Sequence, residues 1–508
     1  MSSKVLSAAL IGLDCELVEV EADTSSALPG IFIVGLPDKA VDESRERVRS
    51  AIKNTGLKMP RGKVTINLAP ADLKKEGPAY DLPIAVSILL VSKQLKLRAD
   101  WRHQLFLGEL ALDGQLRPVN GVLSVCLAAK EKGIKIIYLP KANAAEAALI
   151  SGLQIFGLQN LGELVDHLNE KISLKQFNDA PNFSVLLETN NPEFDMAFIR
   201  GQTQVKRALE IAAAGGHNLL MSGPPGAGKT LLAKTMVTIL PPLTQDESLE
   251  VTRIYSVAGL LPAEKPLLLN RPFRNPHHTA SGVALVGGGA WPKPGEISLA
   301  HRGILFLDEF AEFPRNVLEN LRQPLEDGLV CVSRAAGSLR FPAKFILVAA
   351  MNPCPCGYLT DPERNCSCFP SAIIKYQKKI SGPLIDRIDL HVEVPKVKFE
   401  KLTSDQPAES SIEIRKRVLA ARAIQLKRFS GINLITNSEM SSRQTKEFCA
   451  VDQKTLDLLR QAVTQLNLSA RSYFRLLKIA RTIADLTGQE QIKLEHVAEA
   501  LQYRPKVE

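Results

Sequence analysis

The residues that most clearly indicate a chemical function lie together near the middle of the chain. They are Gly223, Pro224, Pro225, Gly226, Ala227, Gly228, Lys229 and Thr230. They fit the pattern G-x-x-x-x-G-K-[ST], in which glycines allow backbone N–H groups to face phosphate oxygens. In this pattern the lysine contacts the β- and γ-phosphates of ATP, and the threonine hydroxyl serves Mg²⁺. The apolar run before the motif predicts a strand, and residues 231–240 predict a helix. This context disfavours a chance match by a loop rich in glycine and proline.

Two carboxylates follow an apolar run about eighty residues further on. Residues 304–307 read Ile-Leu-Phe-Leu, and Asp308 and Glu309 come next. Such a run is typical of a strand buried on both faces, whose carboxyl end is where open α/β sheets place their ligands. We expect Asp308 to bind Mg²⁺ through water, and Glu309 to act as the base that polarises an attacking water.

Two further polar residues fit the same kind of site. Asn352 follows the apolar run 345–350, so its amide is expected beside the carboxylates, where it could orient water and sense the γ-phosphate. Arg387 lies between Asp386 and Asp389. It is either part of an ordinary ion pair or an arginine finger for the γ-phosphate of a neighbouring subunit, and the sequence leaves both open.

Four cysteines lie within fifteen residues and form C-x-C, nine residues, C-x-C; they are Cys354, Cys356, Cys366 and Cys368. Four thiolates suit a tetrahedral, structural Zn²⁺ with no open position for water. The alternatives are four reduced thiols in a loop or a redox-labile cluster. The remaining cysteines have no such spacing and are expected to be core thiols, namely Cys15, Cys126, Cys331 and Cys449.

The elements that position these residues fall into four segments. Residues 1–168 read as one α/β domain, 169–192 as a polar linker, 193–395 as alternating strands and helices, and 396–508 as a helical lid. The chain has 508 residues, of which 45% are hydrophobic, and no apolar run of membrane-spanning length. The apolar run 5–13 lacks the flanks of a secretory signal, so we expect a cytoplasmic protein with no membrane partner.

A formal net charge of +9 permits a nucleic-acid partner without requiring one. Two insertions are candidate DNA contacts. The first, residues 272–298, carries Lys293 and a His277-His278 pair that could equally be packed at a subunit interface. The second, residues 329–344, is predicted to be a hairpin with Arg334, Arg340 and Lys344 on or near it. Basic tips of this kind could hold phosphates without reading sequence, but solvated loop charges are an equally good interpretation.

The order of phosphate loop, Asp-Glu strand, Asn strand and Asp-Arg resembles the AAA+ ATPases. The stretches 273–279 (FRNPHHT), 287–289 (GGG), 294–301 (PGEISLAH) and 352–357 (NPCPCG) are similar to the magnesium-chelatase-like branch and, within it, the YifB/ComM family. The resemblance covers about residues 5–505. It implies a homo-hexameric ATPase, and a DNA helicase that promotes branch migration in recombination during natural transformation, with recombination proteins as possible partners. It also matches Arg387 to a trans-acting finger and Arg471 to the second sensor arginine of the lid.

The N-terminal segment resembles the proteolytic domain of Lon, an S5-domain-2-like α/β fold. The stretches 75–79 (KEGPA) and 108–123 match those that carry the serine nucleophile and the lysine base of Lon, but Ala79 and Leu123 stand at these two positions. A serine–lysine dyad needs both groups, so we predict no peptidase activity. The domain is expected instead to mediate assembly or to contact DNA or a partner.

Three classes of function remain at this point. The leading one is an ATP-driven motor on branched or single-stranded DNA. The second is a chelatase-type ATPase that remodels a protein or cofactor complex without DNA. The third is a scaffold that binds nucleotide only as a structural ligand, which the intact set of Lys229, Asp308, Glu309, Asn352 and Arg387 disfavours.

Overall fold

A computed structural model describes residues 2–97, 100–179, 193–262, 264–289, 292–334, 337–397, 408–466 and 468–504. The predicted linker, residues 169–192, is therefore described only up to residue 179. The chain divides into two compact units, one of Met1–Leu186 with Gln245–Leu268, and the other of Leu187–Thr244 with Leu269–Glu508.

The first unit is built on a seven-stranded mixed sheet in the order β3-β4-β2-β1-β5-β8-β9. Its strands and those of a small hairpin are β1 (Ser2–Ile11), β2 (Asp14–Ser25), β3 (Gly30–Val34), β4 (Lys63–Ala69), β5 (Gln104–Phe106), β6 (Glu109–Leu110), β7 (Leu116–Arg117), β8 (Ile136–Pro140) and β9 (Gln154–Leu158). Its helices are α1 (Lys39–Asn54), α2 (Asp81–Val91), α3 (Val122–Glu131), α4 (Ala144–Ala147) and α5 (Leu161–Leu168).

Helices α1 and α2 show how the sequence specifies these elements. Asp38 caps α1 by accepting a hydrogen bond from the Val41 N–H at 2.8 Å, and α1 buries the apolar stripe that includes Val48 and Ile52. From the sequence, the apolar run 82–91 predicts either a helix or a buried strand. It forms α2, which is buried along nearly all of its length, because it packs on β1 and β2 as well as on α1.

The segment after residue 193 alternates strands and helices, as predicted. Its helices are α6 (Thr203–Gly215), α7 (Lys229–Ile239), α8 (Gln245–Ala258), α9 (Gly282–Val286), α10 (Glu296–Leu299), α11 (Arg315–Glu319), α12 (Arg322–Asp327), α13 (Pro370–Gln377) and α14 (Gly382–Ile385). Its strands are β10 (Leu219–Ser222), β11 (Phe273–Arg274), β12 (Gly287–Gly288), β13 (Lys293–Pro294), β14 (Ile304–Leu307), β15 (Leu329–Arg334), β16 (Gly337–Pro342), β17 (Ile346–Met351) and β18 (Leu390–Glu393).

Five of these strands form a parallel sheet in the order β11-β14-β17-β10-β18, which confirms the predicted α/β core. Strands β10, β14 and β17 are almost wholly buried. Because all five strands run the same way, the residues that follow β10, β14 and β17 meet at one edge of the sheet. The two hairpins, β12–β13 and β15–β16, lie outside this sheet.

Helix α8 belongs to the first unit, although the sequence analysis placed it in the segment 193–395. Its Arg253 donates hydrogen bonds to the Leu13 carbonyl at 2.6 Å and the Ser124 hydroxyl at 3.0 Å. Its Ser256 bonds to the buried carboxyl of Glu146. These contacts join residues far apart in sequence, so they leave no periodic signal within α8 itself.

The C-terminal region is helical, as predicted. Its helices are Ser411–Arg428, Ser442–Phe448, Gln453–Gln465, Ala470–Leu486 and Leu494–Gln502. The sequence predicts helices over residues 412–429, 455–466, 471–488 and 493–503, and four of the observed helices lie within two residues of these bounds. The short helix Ser442–Phe448 was not predicted. One apolar core joins these helices to the parallel sheet and to α6 and α7. Among the described helices, none combines the length and the apolar character needed to cross a bilayer.

Candidate active site

The phosphate loop occupies the connection between β10, which ends at Ser222, and α7, which begins at Lys229. Gly226 and Gly228 have φ angles of 76° and 84°, in the left-handed region that only glycine adopts freely. Gly223 is needed for a different reason, because a Cβ there would lie 2.3 Å from the carbonyl oxygen of Val394. The N-terminus of α7 faces the loop, as an anion-binding site requires.

Lys229 is 9% exposed and is held at the mouth of this loop. Its Nζ donates to the carbonyl oxygens of Gly223 at 2.6 Å and Pro224 at 3.0 Å, and to Oδ1 of Asn352 at 3.1 Å. Burial lowers the pKa of the Lys229 ammonium, and the charge of Asp308 opposes that shift. Asn352 was expected beside the carboxylates, but the contact that the structure gives it is with this ammonium group.

Thr230 and Asp308 form the adjacent part of the site. The Thr230 hydroxyl donates to Oδ2 of Asp308 at 2.8 Å, which brings together the last residue of the phosphate loop and the first residue after β14. A hydroxyl and a carboxylate are oxygen donors of the kind that Mg²⁺ prefers. These two residues therefore fit the predicted metal-binding pair.

Glu309 takes an unusual backbone conformation, with a φ of 50°. A non-glycine residue in the left-handed region is strained, and such strain is concentrated at functional sites. Its N–H donates to Oδ1 of Asp308 at 2.9 Å, and its side chain is 56% exposed. The carboxylate meets the imidazole of His278, with 2.9 Å between Oε2 and Nδ1.

The role of His278 was missed in the sequence analysis, which considered it only as part of an insertion. The available signal was positional. Strand β11 pairs in parallel with β14, with Phe273 opposite Ile304, so the residues after β11 emerge at the same edge as Asp308 and Glu309. His278 lies four residues past the end of that strand.

The four clustered cysteines converge in space. Their Sγ atoms all lie within 4.8 Å of one another, and the measured separations are 3.4 Å for Cys354–Cys356, 3.5 Å for Cys356–Cys366 and 3.7 Å for Cys354–Cys366. Four sulfurs around one zinc at about 2.3 Å would be about 3.8 Å apart, so the set fits a tetrahedral ion. The Cys356 backbone N–H points at the Cys368 sulfur, 3.3 Å away, as is common for thiolate ligands.

Arg387 and Arg471 meet at one carboxylate. Nη2 of Arg387 is 2.6 Å from Oε1 of Glu326 in α12, and the Arg471 guanidinium bonds to the same oxygen. Arg387 therefore does not pair with its neighbour Asp389, which faces His217 and Arg475 instead. In this structure Arg387 forms an ion pair with a residue 61 positions away in sequence, and the finger role remains a prediction.

Strand direction places Arg387 far from its own phosphate loop. Strands β10 and β18 are parallel neighbours, with Leu219 opposite Leu390 and Ser222 opposite Glu393. Arg387 precedes β18, whereas Lys229 follows β10. The two side chains therefore belong to opposite edges of the sheet.

The candidate DNA residues differ in their surroundings. Lys293 and Arg340 are exposed on the β12–β13 and β15–β16 hairpins, and α10 contacts both hairpins. Lys344 pairs with Glu439 of the lid at 3.5 Å. Arg334 ends β15 opposite Gly337, and its side chain lies outside what the structure describes.

In the first unit, the positions matched to the Lon dyad lie in an apolar environment. Leu123 is fully buried, and Ala79 packs against the same apolar cluster. The Leu123 N–H donates to Glu146 at 2.9 Å. Neither side chain carries a nucleophile or a base.

Comparison with known proteins gives consistent matches along the chain. Residues 195–402 match the family described as magnesium chelatase, subunit ChlI. Residues 20–143 match the family described as subunit ChlI of Mg-chelatase, and residues 408–504 its C-terminal region.

Relatives of similar length match nearly the whole chain. The chain is 45% identical over 507 residues to a protein named competence protein ComM from Haemophilus influenzae, with 99% of this chain and 97% of the relative covered. It is 43% identical over 497 residues to YifB of Escherichia coli strain K12, with 98% and 96% covered. Over 112 residues it is 31% identical to a peroxisomal Lon protease homolog 2 of rice, which covers 21% of this chain and 12% of that protein.

Proposed function

This chain belongs to the YifB/ComM family of magnesium-chelatase-like AAA+ proteins, and we propose that it is an ATP-hydrolysing motor that works on DNA as a ring of six identical subunits. Its activity would be that of a helicase which promotes branch migration in homologous recombination during natural transformation. The observation that carries the ATPase part is the convergence of Lys229, Thr230, Asp308, Glu309 and Asn352 at one edge of the parallel sheet.

In this proposal the phosphate loop binds ATP, and Lys229 contacts its β- and γ-phosphates. Thr230 and Asp308 hold Mg²⁺, which neutralises phosphate charge when it is bound. The Glu309 carboxylate accepts hydrogen bonds from the attacking water and polarises it, as its exposure allows. Asn352 links this chemistry to Lys229 by its 3.1 Å hydrogen bond and is well placed to respond to the γ-phosphate.

A ring of subunits completes the site. Arg387 lies at the opposite sheet edge from Lys229, so it is suited to serve the nucleotide of a neighbouring subunit. We assign it the finger role and assign Arg471 a sensor role at the same interface, because both reach the single carboxylate of Glu326. The release of both arginines from Glu326 would then accompany their engagement with the γ-phosphate.

The proposed DNA contacts are the two hairpins of the second unit. Lys293 and Arg340 are exposed on these hairpins. Because α10 packs against both hairpins, the two positive charges lie in the same part of the second unit. Such charges bind phosphates whatever the sequence. The relative from Haemophilus influenzae is named a competence protein, which agrees with a role in the uptake and recombination of DNA.

For the cysteine cluster we propose a structural Zn²⁺ held by Cys354, Cys356, Cys366 and Cys368. The separations between their sulfurs agree with those around one tetrahedral ion, since all four Sγ atoms lie within 4.8 Å of one another. Four protein ligands leave no position for substrate, so the ion has no part in hydrolysis.

The second candidate is a chelatase-type ATPase that remodels a protein or cofactor complex without DNA. What favours it is that the three matched family descriptions all name a magnesium chelatase subunit. The chemistry at the phosphate loop is common to both candidates, so they differ only in what hydrolysis acts upon.

The experiment that separates them measures ATP hydrolysis with and without single-stranded DNA, forks and four-way junctions, together with conversion of the junctions. We expect DNA to stimulate hydrolysis and the four-way junctions to be converted by branch migration into separate duplexes, with Glu309→Gln as the inactive control. The double variant Lys293→Ala, Arg340→Ala should weaken DNA binding and stimulation, whereas Lys427→Ala removes an exposed charge from the lid helix and should not. Hydrolysis that no DNA stimulates, with unchanged junctions, would favour the chelatase-type alternative.

A further inference from the structure

We propose that the four-cysteine loop is a structural part of the nucleotide site, and that the metal it holds fixes Asn352 and the phosphate loop in their binding positions. Loss of the metal would therefore weaken nucleotide binding while leaving the rest of the fold intact. This inference rests on the proposed ATPase function. It gives the four-cysteine metal site a positioning role in nucleotide binding, in addition to stabilising its own loop.

The first argument is the short path from the cluster to Asn352. Asn352 directly follows β17, and Cys354 comes two residues later and is fully buried. The Met351 carbonyl, at the end of β17, accepts a hydrogen bond from the Gly223 N–H at 3.2 Å. A metal bound to Cys354 would thus restrain two neighbouring residues. These are Asn352, which contacts Lys229, and Met351 at the end of β17, which contacts Gly223 of the phosphate loop.

The second argument is direct contact between the two loops. Gly357, within the cluster, packs so closely on the phosphate loop that a Cβ built on it would lie 2.6 Å from Cδ and 2.8 Å from Cγ of Pro225. The same Cβ would lie 3.8 Å from Cγ of Asn352. Gly357 has a φ of 85°, so both its conformation and its surroundings require glycine.

The third argument is that the far side of the cysteine loop is anchored around the same site. Asp361, whose side chain is fully buried, pairs with Lys396 at 2.5 Å. Lys396 comes two residues after Val394, which follows β18 and packs against Gly223 of the phosphate loop. After the last cysteine, α13 brings the buried phenol of Tyr376 to face the backbone of Asn352. The cysteine loop therefore begins directly after Asn352, and the helix that follows the loop contacts Asn352 again through Tyr376.

Together these contacts predict that metal and nucleotide binding are coupled. The fifteen residues from Cys354 to Cys368 contain little regular structure, so the four thiolates need the metal to stay together. Without it, the restraints on Pro225 and Asn352 would be lost while the parallel sheet and the lid keep their apolar core.

The test measures binding of a fluorescent ATP analogue by the full-length protein, with zinc content and thermal unfolding followed on the same samples. The double variant Cys354→Ser, Cys366→Ser should lose its zinc and bind the analogue about tenfold more weakly, the effect of losing one or two hydrogen bonds and packing contacts. Cys331→Ser changes a thiol outside the cluster and should bind the analogue as the wild type does.

A second variant separates the contact from the metal. Gly357→Ala keeps all four thiolates, so it should retain zinc and yet bind the analogue several-fold more weakly, because the new methyl group meets Pro225. Gly431→Ala is the matched control, since Gly431 has a φ of 80° and no atom within 4 Å of an added Cβ. It should show comparable backbone strain and unchanged analogue binding.

The outcomes are distinct. Unchanged analogue binding in a folded, zinc-free double variant would overturn the inference, and so would unchanged binding by Gly357→Ala. Failure of the wild-type protein to bind the analogue at all would overturn the proposed ATPase function instead. If the double variant fails to fold, Gly357→Ala, which retains its metal, decides the question.

Discussion

The imidazole of His278 lies 2.9 Å from the carboxylate of Glu309, and His278 belongs to the segment that follows a different strand of the sheet, β11. The side chain of Glu309 is more than half exposed, and this contact gives it a defined orientation. The ring of His277 packs against that of His278 at an interplanar angle of 33°, with 4.2 Å between ring centroids, but its hydrogen bond is to Thr279. The neighbouring histidines thus have separate roles, and only one of them faces the proposed base.

We predict that His278→Ala lowers the rate of hydrolysis at saturating ATP by about tenfold, because Glu309 loses the group that orients it toward water. Nucleotide affinity should change little, since His278 contacts the base and not the phosphate loop. Steady-state kinetics would separate the two parameters, with His277→Ala as the neighbouring control. An increased rate would instead mean that His278 restrains Glu309 and would contradict this prediction.

A second prediction concerns Lys229 and Glu309. Lys229→Ala should weaken ATP binding strongly, because this ammonium both meets the phosphates and ties Asn352 to the loop. Glu309→Gln should bind ATP nearly as well as the wild type but hydrolyse it at least about a hundredfold more slowly. Equilibrium binding and phosphate release measure the two properties. An equal loss of affinity in both variants would show that the roles are assigned wrongly.

A third prediction concerns Arg387. Arg387→Ala should bind ATP nearly normally but hydrolyse it poorly, by a factor of about 10³ if the arginine acts as a full finger. Mixed with Glu309→Gln protein, it should regain partial activity, because some interfaces then combine an intact Glu309 with a neighbour's intact Arg387. Subunit exchange must be verified with labelled protein. An exchanging mixture that shows no recovery would exclude action between subunits.

A fourth prediction concerns metal content. Elemental analysis of freshly reduced protein should give about one zinc per chain, and Cys354→Ser with Cys366→Ser should remove it. Removal should also lower the melting temperature by about 5 to 10 °C, because the binding free energy of a structural ion stabilises the folded state. If the freshly reduced wild-type protein contains no zinc and the double variant is equally stable, the cluster is four reduced thiols and not a metal site.

The parts of the site that local sequence determines were predictable. The phosphate loop needs glycines at fixed spacing, and a buried strand before Asp308 appears as an uninterrupted apolar run, so both were found at their observed positions. Apolar patterns predicted the longer helices of the lid. The helix Ser442–Phe448 was not predicted, because its seven residues make too few turns to show an apolar periodicity.

What could not be predicted depends on contacts between distant residues. The partner of Glu309 is 31 positions away, and the partner of Arg387 is 61 positions away in α12. The pairing of Asn352 with Lys229 depends on the sheet order, in which β17 lies beside β10. Strand order is set by the packing of the whole sheet, so no local pattern contains it.

The membership of α8 in the first unit limits how this protein can be shortened. The helix follows α7 directly in the chain, packs against α3 of the first unit, and has Val251, Ile254 and Val257 buried. A truncated chain that starts at residue 193 would keep this helix and lose what covers it, so its apolar face would be open to water and to other molecules. Shortened forms intended for crystallisation or binding assays should therefore keep residues 1–186, or replace 245–268 with a polar connection.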